Sequence, residues 1–365
     1  MVRSCFDSCI GKALIAMSGG VDSSVSAALM KEKGYECIGV TMKLYENEDA
    51  GIAREKTCCS LEDTEDAASV ARSLDMPYYV LNFTDDFRCK VMEKFVQSYV
   101  NGITPNPCID CNRYMKFEHL YRRGQELGCD KIVTGHYARV LQNKETGKYE
   151  LWKAVDDTKD QSYVLYSLTQ EQLAHTEFPL GDYPKTKVRE IAEQHGFINA
   201  RKHDSQDICF VPDGHYERFI ESYLGRKLPS GNFVDEQGNI IGRHKGIIHY
   251  TIGQRKGLGI AAEEPLYVKE IHPDANEVVL SSHQSVFSQV LYAEQFNWIS
   301  MQAPETVIKV LAKVRYRQQA QPAVAECLSD GRVEVRFDEP QRAVTKGQAV
   351  VLYEGEKVLG GGTII

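Results

Sequence analysis

The stretch Ala13-Leu-Ile-Ala-Met-Ser-Gly-Gly-Val-Asp-Ser-Ser24 decides the fold of this chain. Its first five residues have the length and apolar composition of a buried strand, and apolar residues then recur at helical spacing from Val25 to Leu29, before Gly34. The turn between them contains two adjacent glycines, which let the backbone approach an anion closely. N–H groups at the start of the helix would hold the oxygens of that anion. The stretch therefore predicts a strand, a phosphate-binding loop and a helix.

The composition of this loop narrows the kind of nucleotide site. It lacks the lysine of a Walker loop and the glycine spacing of a dinucleotide fingerprint, and a lone Gly-Gly would suit an ordinary corner between a strand and a helix. The full run Ser18-Gly-Gly-Val-Asp-Ser-Ser24 resembles the loop of the PP-loop ATP pyrophosphatase family. Members of that family cleave ATP to AMP and pyrophosphate and adenylate a substrate oxygen. The resemblance implies an α/β fold with a doubly wound parallel sheet.

Length, composition and charge limit the remaining classes of protein. The 365 residues, 42% hydrophobic and 26% charged, indicate a soluble globular chain of two or three domains. No apolar run approaches the roughly 20 residues that span a bilayer, and the N-terminus lacks a signal-peptide pattern, so we expect a cytoplasmic protein without a membrane partner. The net charge of −8 opposes non-specific coating of nucleic acid but permits a local basic surface.

Apolar runs and helical patterns alternate through the first 210 residues. Strands are predicted at 13–17, 36–41, 78–81 and 131–134, and helices at 60–74, 85–100 and 113–127, with a loop at 104–112. Ligands of such sheets bind beyond the carboxyl ends of the strands, which places the Ser18 loop, Met42, Gly135 and His136 on one edge. We predict a catalytic domain at 1–210, a small β-rich central domain at 211–290, and a C-terminal β-barrel at 291–365, because turn-rich strand patterns follow residue 211.

The eleven cysteines predict free, metal-bound or catalytic thiols rather than a disulfide framework. Cys108 and Cys111 form a C-x-x-C pattern just before a helix, where thiol pKa values are expected to be lowered. Cys209 enters an apolar run from a polar loop. A structural zinc site or buried inert thiols are the alternatives, but a second C-x-x-C is missing and the adjacent Cys58 and Cys59 suit one tetrahedral ion poorly.

A second resemblance covers nearly the whole chain. It rests on Ser18-Gly-Gly-Val-Asp-Ser-Ser24, Thr104-Pro-Asn-Pro-x-x-x-Cys-Asn112, Gly135-His-Tyr-Ala-Arg139, Lys159-Asp-Gln-Ser-Tyr163, Asp204-Ser-Gln-Asp-Ile-Cys209 and Arg315-Tyr-Arg317. Together these blocks resemble the tRNA-specific 2-thiouridylase (MnmA/TrmU) family. The resemblance implies an enzyme that uses ATP to adenylate O2 of the wobble uridine (position 34) of tRNA and then replaces that oxygen with sulfur. It also implies transfer RNAs for Lys, Glu and Gln as substrates, and a cysteine desulfurase or sulfur-relay protein as the sulfur donor.

The resemblance also implies roles for individual residues. Cys111 matches the family's nucleophile and Cys209 the cysteine that carries a persulfide, so that sulfur release leaves a transient Cys111–Cys209 disulfide. The implied ATP-binding residues are Ala16, Met17, Ser18, Gly19, Gly20, Val21, Asp22, Ser23, Met42 and Gly135. The implied tRNA-binding residues are Asn106, Pro107, Cys108, His136, Lys159, Asp160, Gln161, Arg315, Tyr316 and Gln348. Asp22 is a candidate Mg²⁺ ligand or simply a helix cap.

The chain departs from the family pattern at Cys108, where many members carry Asp. Cys108 could contact the base or act as a spare redox thiol, and alternatively Cys108, Cys111 and Cys209 could hold an iron–sulfur cluster. We favour the persulfide route because Cys209 matches the persulfide-bearing residue.

A local basic surface is predicted in the C-terminal half. In the run Val307–Arg317, strand alternation would place Lys309, Lys313, Arg315 and Arg317 on one face. The alternatives for the whole protein are another PP-loop enzyme, such as a small-molecule ligase or amidotransferase, and a non-catalytic tRNA- or metal-binding module.

Overall fold

The computed structural model describes residues 9–46, 61–202, 208–211 and 213–365. The predicted helix start at Ser60, the Cys58-Cys59 pair and residues 203–207 lie outside the described residues. None of the described helices has the length and apolar character needed to cross a membrane.

A parallel sheet forms the centre of the N-terminal part. The strands of this half are β1 (Lys12–Ala16), β2 (Glu36–Lys43), β3 (Tyr78–Asn82), β4 (Lys131–Val133), β5 (Ala138–Gln142), β6 (Tyr149–Lys153) and β7 (Thr176–Glu177). The sheet order is β3-β2-β1-β4-β7 and every pair in it is parallel. Because β1 lies in the middle, its carboxyl end brings the glycine-rich loop to the centre of one edge.

Helices cover both faces of this sheet. They are α1 (Val21–Glu32), α2 (Leu61–Ser73), α3 (Thr84–Phe87), α4 (Lys94–Val100), α5 (Pro107–Asp110), α6 (Leu120–Glu126), α7 (Gln170–Ala174), α8 (Lys185–Gln194) and α9 (Tyr216–Leu224). Alternate residues of β1 enter two different cores: Ala13 and Ile15 pack with α1, α2 and α8, whereas Leu14 packs with α4, α6 and α9. The doubly wound fold is thereby confirmed.

Two of the helical runs contain π-helical segments. Arg88–Glu93 joins α3 to α4, and Cys111–His119 joins α5 to α6, so each run continues as one rod. The predicted loop at 104–112 is therefore wrong in its second half, because the helix already begins at Pro107. Proline suits the first helical turn, and the side chain of Asn106 caps it by accepting the Cys108 amide at 3.2 Å.

The central and C-terminal parts are built of strands. The central sheet contains β8 (Gly231–Val234), β9 (Ile240–His244), β10 (Tyr267–His272) and β11 (Glu277–Ser281) in the order β10-β11-β8-β9. The C-terminal strands are β12 (Phe287–Trp298), β13 (Ile308–Lys313), β14 (Gln321–Cys327), β15 (Val333–Arg342), β16 (Ala349–Glu354) and β17 (Lys357–Ile364). Pairing of β12 with both β15 and β17 closes them into an antiparallel barrel, as the fold prediction requires. The domain boundaries at 210 and 290 stay predictions.

The barrel is joined to the N-terminal part through a hairpin that the sequence analysis did not foresee. Strands β5 and β6 pair with each other, and β6 then pairs with β17, which extends the barrel sheet into the N-terminal part. A shared core lies beneath this junction and contains Tyr163 and Tyr166 with Val351 and Tyr353. The barrel is therefore packed directly against the segment that follows β6.

Candidate active site

The glycine-rich loop is held in shape by its own serines. The amide of Ser18 donates to Ser23 Oγ at 3.2 Å, and Ser23 Oγ donates to the Gly20 carbonyl at 3.0 Å. Gly19 has φ +75°, and a Cβ atom there would lie 2.3 Å from the Asp63 carbonyl oxygen. Only glycine fits this position, since both the backbone conformation and the close approach exclude a side chain.

Asn199 fastens a distant segment to the same loop. Its buried side-chain amide donates to the Gly19 carbonyl and to Ser24 Oγ, both at 2.9 Å. Nearby, the Lys202 ammonium contacts Asp63 at 2.6 Å and Asp66 at 2.7 Å. Asn199 and Lys202, which precede Cys209 in sequence, thus anchor this segment beside the loop.

Asp22 has protein partners at the start of α1. Its Oδ1 atom accepts from the Lys185 ammonium at 2.7 Å and from the Tyr137 hydroxyl at 2.8 Å. This pairing gives the carboxylate a role in joining α1 to α8 and to the segment after β4.

The remaining implied ATP residues lie at the same edge of the sheet. Met42 is buried at the carboxyl end of β2, and Gly135 follows β4. A Cβ atom at Gly135 would lie 2.9 Å from the backbone of Asp22 and of Ser23, so the two segments touch. The structure therefore brings the ten implied ATP residues together, while their contact with ATP stays a prediction.

Cys108 and Cys111 lie in the first turns of the helical run that starts at Pro107. Cys108 is exposed at the surface, but much of the protein lies around its thiol. The resulting desolvation raises the pKa of this thiol to about 11. Burial also raises the pKa of Cys111, against the opposing effect of the Lys116 charge. The expectation of lowered thiol pKa values is therefore wrong, because desolvation by burial is the largest effect on both thiols and raises their pKa.

Cys209 packs against the same hydrophobic core as Cys111. Its backbone carbonyl accepts from the Tyr45 hydroxyl at 2.6 Å, and the next residue, Phe210, packs edge-on against Phe87 and Phe95. Cys111 and Cys209 both pack against this one cluster of buried residues. The two cysteines are thus attached to a common core although they are far apart in sequence.

His136 is almost completely buried. Thr134 Oγ1 lies 2.6 Å from Nδ1, Lys116 Nζ lies 3.3 Å from Nε2, and the ring packs edge-on against Phe178. Desolvation and the neighbouring Lys116 charge hold the pKa of this imidazole well below its usual range. The side chain is therefore neutral at physiological pH, and the implied tRNA contact stays a prediction.

Several implied tRNA residues meet at the junction of the barrel with the N-terminal part. Tyr316 shares a hydrogen bond with Gln161 and lies close to Cys108. The carboxylate of Asp160 is buried and accepts from the amides of Ala154 and Ser162. Lys159 is partly exposed in the turn just before Asp160. The barrel therefore contributes Tyr316 to the surroundings of the cysteine-bearing helix.

The proposed basic stripe is shorter than expected. β13 ends at Lys313, and residues 314–317 form a turn, so the prediction of one continuous strand face is wrong. Arg315 is partly buried and donates to the carbonyls of Ile252 and Ala343 at 3.3 and 2.9 Å. This guanidinium joins the central part to the barrel, which explains why it leaves the strand face.

Gln348 contacts the segment that precedes the cysteine-bearing helix. Its side-chain amide donates to the carbonyls of Thr104 and Pro105 at 2.8 and 3.2 Å, and the Thr104 amide donates to Lys346 at 3.1 Å. Gly347 lies so close that a Cβ atom would be 2.2 Å from the Ile103 side chain. A turn of the barrel thus holds the entry to the helix, whereas Pro107 is buried and Asn106 forms the cap.

Comparisons with known proteins agree with this arrangement. Family models match along the chain: a tRNA methyl transferase HUP domain at residues 11–213, a tRNA methyl transferase PRC-barrel domain at 217–282 and an aminomethyltransferase beta-barrel domain at 288–364. A tRNA-specific 2-thiouridylase MnmA from Lachnoclostridium phytofermentans is 51% identical over 97% of this chain and 99% of its own. A protein of the same name from Clostridioides difficile is 48% identical over 97% of this chain and 98% of its own. The chain belongs to the tRNA-specific 2-thiouridylase family.

The names of the domain models mention methyl transfer, whereas the full-length relatives are named 2-thiouridylases. The family is assigned from these relatives, because they match 97% of the chain at 48–51% sequence identity. Among solved structures, a 4-thiouridine synthetase–RNA complex with bound ATP covers 59% of this chain and 50% of its own, at 19% identity and a TM-score of 0.36. That likeness is too weak to carry an argument.

Residues that the sequence analysis missed lie next to the site of this 2-thiouridylase family member. They are Lys116, Tyr137, Lys185 and Asn199, all of which contact or face implied site residues. Tyr137 belongs to the Gly135–Arg139 block, so the sequence carried a signal for it. The sequence carried no such signal for Lys185 and Asn199, because their partners are distant in sequence.

The iron–sulfur hypothesis receives no support from this 2-thiouridylase fold. Within the residues that the structure describes, which include Cys108, Cys111 and Cys209, no group of three or more His, Cys, Asp or Glu side chains could hold a metal ion. The three thiols therefore do not converge as cluster ligands do.

Proposed function

We propose that this protein catalyses the ATP-dependent 2-thiolation of the wobble uridine, position 34, of tRNA. Family membership supports the proposal, since the relatives at about half identity are named tRNA-specific 2-thiouridylases. The observation that carries the chemistry is the attachment of Cys111 and Cys209 to one hydrophobic core, which also contains Leu14 of β1, the strand that leads into the glycine-rich loop. The protein is accordingly a tRNA sulfurtransferase, and a cytoplasmic location fits a tRNA substrate.

The first step activates the base. Uridine O2 attacks the α-phosphorus of ATP, and pyrophosphate leaves, so that C2 carries AMP as a leaving group. Backbone N–H groups from Ser18 to Ser23 would hold the phosphate oxygens at the start of α1. Mg²⁺ would enter with the nucleotide, held mainly by phosphates and water, because Oδ1 of Asp22 already accepts from Lys185 and Tyr137.

The second step transfers sulfur. The terminal sulfur of a persulfide on Cys209 bonds to C2 as AMP leaves, and the Cys111 thiolate attacks the Cys209 sulfur and breaks the persulfide bond. The proton of Cys111 goes to water. Two electrons pass from the cysteines to the transferred sulfur, which leaves a Cys111–Cys209 disulfide that an external thiol must reduce.

The substrates and partners follow from this chemistry. The tRNA would place its wobble base against Asn106, Pro107 and Cys108, after the base has left the anticodon stack. A cysteine desulfurase or a relay protein would load Cys209, and the tRNAs for Lys, Glu and Gln are the proposed substrates. Barrel and rim residues would contact the tRNA, including Lys159, Arg315, Tyr316 and Gln348.

Replacement of Cys111 by Ser tests this function. We expect the variant to lose 2-thiouridine formation entirely while tRNA binding changes little, because serine keeps the shape but removes the nucleophilic sulfur. Mass spectrometry of nucleosides from tRNA incubated with ATP and a sulfur source measures the product. Cys89→Ser is the matched control, since Cys89 is an exposed thiol in the neighbouring π-helical segment and should be dispensable.

Pyrophosphate release separates this function from a small-molecule ligase. A tRNA thiolase releases pyrophosphate from ATP only when tRNA is present, whereas a ligase of the same fold would ignore tRNA. Unchanged thiolation in Cys111→Ser would remove Cys111 from the proposed reaction.

A further inference from the structure

Lys116 lies on the cysteine-bearing helix at a position that its π-helical geometry brings toward Cys111. The segment Cys111–His119 is π-helical, and in such a segment hydrogen bonds join residues five apart. Cys111 and Lys116 are separated by that interval, so they lie on nearly the same side of the rod. In a regular α-helix the same interval would rotate Lys116 by about 140° away from Cys111. π-Helical turns occur frequently at functional sites.

His136 fixes the end of the Lys116 side chain. Lys116 carries only donors, so it donates to Nε2 of His136 across 3.3 Å, which requires that nitrogen to be unprotonated. The proton of the neutral ring is then on Nδ1 and is donated to Thr134 Oγ1 at 2.6 Å. Phe117 and Phe178 pack around the ring and limit its rotation. The carboxyl end of β4 therefore holds the ammonium group in place.

Of the two charged neighbours that act on the Cys111 thiol, Lys116 is the one that favours its ionisation. Asp110 opposes ionisation of the Cys111 thiol, whereas Lys116 favours it. The carboxylate of Asp110 is itself paired with Lys94 of α4 at 2.7 Å and lies near Arg113.

Groups from other elements surround this thiol as well. Cys108 precedes it on the same helical run, and Lys116 favours ionisation of Cys108 too. Tyr316 of the barrel lies near Cys108 and carries no positive charge. Among these neighbours, Lys116 is the cation that favours ionisation of both thiols.

We propose that Lys116 is the cation that stabilises the Cys111 thiolate during sulfur transfer, and that His136 is a positioning residue which aims Lys116 at that thiol. The proposal deepens the function proposed above and rests on it. It gives His136 a task inside the site, next to the helix, in place of a direct contact with tRNA. Removal of the ammonium should leave Cys111 more fully protonated near neutral pH.

Alkylation of Cys111 by iodoacetamide between pH 6.5 and 10, read from the Cys111 peptide by mass spectrometry, tests the proposal without requiring turnover. Burial already raises the pKa of this thiol, so reactivity should rise with pH through the neutral range in the native protein. In Lys116→Met the profile should move to higher pH, and alkylation at pH 7 should fall about three- to tenfold. Lys116→Arg keeps the charge and should stay near the native profile.

Lys90→Met is the matched control. Lys90 belongs to the Arg88–Glu93 segment, contacts Glu118 of the Cys111–His119 segment at 3.2 Å and lies over the Tyr114 ring. It is not among the charges that act on the Cys111 thiol. We expect its alkylation profile and thiolation rate to match those of the native protein. His136→Gln retains an acceptor for Lys116 and should lie between native and Lys116→Met, whereas His136→Ala should resemble Lys116→Met.

The outcomes separate this inference from the function on which it rests. If the native protein forms no 2-thiouridine, the proposed function fails whatever the alkylation profile shows. If the native protein thiolates tRNA and the profile of Lys116→Met superimposes on the native one, the role of Lys116 is rejected. A slower thiolation by Lys116→Met that recovers as pH rises supports the role, since a higher pH deprotonates Cys111 even when the ammonium group is absent.

Discussion

The thiol of Cys111 shows how the surroundings of a residue outweigh its position in a helix. A cysteine in the first turns of a helix is expected to ionise readily, but here burial raises the pKa of Cys111 and raises that of Cys108 to about 11. Both thiols are therefore mostly protonated at neutral pH.

Gly19 carries a prediction about the nucleotide loop. Replacement by Ala forces a side chain into a backbone with φ +75° and into contact with the Asp63 carbonyl oxygen, 2.3 Å away. We expect a clear loss of thermal stability and at least a tenfold weaker affinity for ATP, because the loop must move to admit the methyl group. Thermal unfolding and nucleotide titration measure the two effects.

Gly34 provides the control for this change. It has φ +90°, but no atom lies within 4 Å of the position that its Cβ would occupy. Gly34→Ala should therefore cost only the backbone strain, about 1–2 kcal/mol, and leave the ATP affinity unchanged. Equal effects of the two substitutions on ATP affinity would argue against a contact between the Gly19 loop and the nucleotide.

At the level of elements, the helical run from Pro107 to Glu126 is held at its start by the barrel. The turn that contains Gly347 and Gln348 contacts the residues just before Pro107, and Asn106 caps the helix. The orientation of the cysteine-bearing helix thus depends on a part of the chain that carries no cysteine of the site. The barrel in this way orders the segment that carries Cys108 and Cys111.

Gln348→Ala tests this arrangement. The substitution removes hydrogen bonds to the carbonyls of Thr104 and Pro105, each worth about 1 kcal/mol. We expect the thiolation rate at saturating tRNA to fall severalfold, because the start of the helix is less well ordered. Single-turnover thiolation and tRNA titration measure rate and affinity separately.

Gln289→Ala is the matched control within the same barrel. Gln289 likewise donates to two backbone carbonyls, those of Phe337 and Asp338, but these are in the barrel itself. Its loss should leave the rate unchanged. If Gln348→Ala instead weakens tRNA binding and keeps the native rate at saturation, Gln348 acts as the direct tRNA contact that the family resemblance implies.

At the scale of the whole molecule, the catalytic half and the barrel share one hydrophobic core. Strand β6 pairs with β17, the Tyr163 hydroxyl donates to the Ala349 carbonyl at 2.8 Å, and Asn297 donates to Tyr166 and Leu168. Large aromatic side chains of the catalytic half, Tyr163 and Tyr166, share a buried core with the barrel residues Val351 and Tyr353. The parts are therefore unlike independent domains connected by a linker.

A chain that ends after residue 286 tests this dependence. It lacks the barrel, so Tyr163, Tyr166 and Leu151 would be exposed to water. We expect a protein that binds a hydrophobic dye, unfolds without a sharp transition and does not release pyrophosphate with tRNA. A sharp thermal transition and native nucleotide binding in the shortened chain would show that the catalytic half folds alone.

The sequence by itself determined the fold class and the family of this protein. Local patterns were sufficient: the apolar strand before Ser18, the glycines of the loop, and the periodicities of the parallel-sheet strands, whose bounds agree closely with the structure. The sequence blocks around Cys111 and Cys209 that carry the family resemblance also identified the site residues to propose, because each block is continuous in sequence.

Only the tertiary structure decided how those residues are held and charged. The pKa of the two thiols is raised by burial, and the carboxylate of Asp22 is held by Lys185 and Tyr137. The residues just before the Cys111 helix are held by Gln348 of the barrel. Each of these relations joins segments that are distant along the chain. Hydrophobic periodicity records which face of an element is buried, but it carries no information about which distant side chain meets that face, so desolvation and long-range hydrogen bonds appear only after folding.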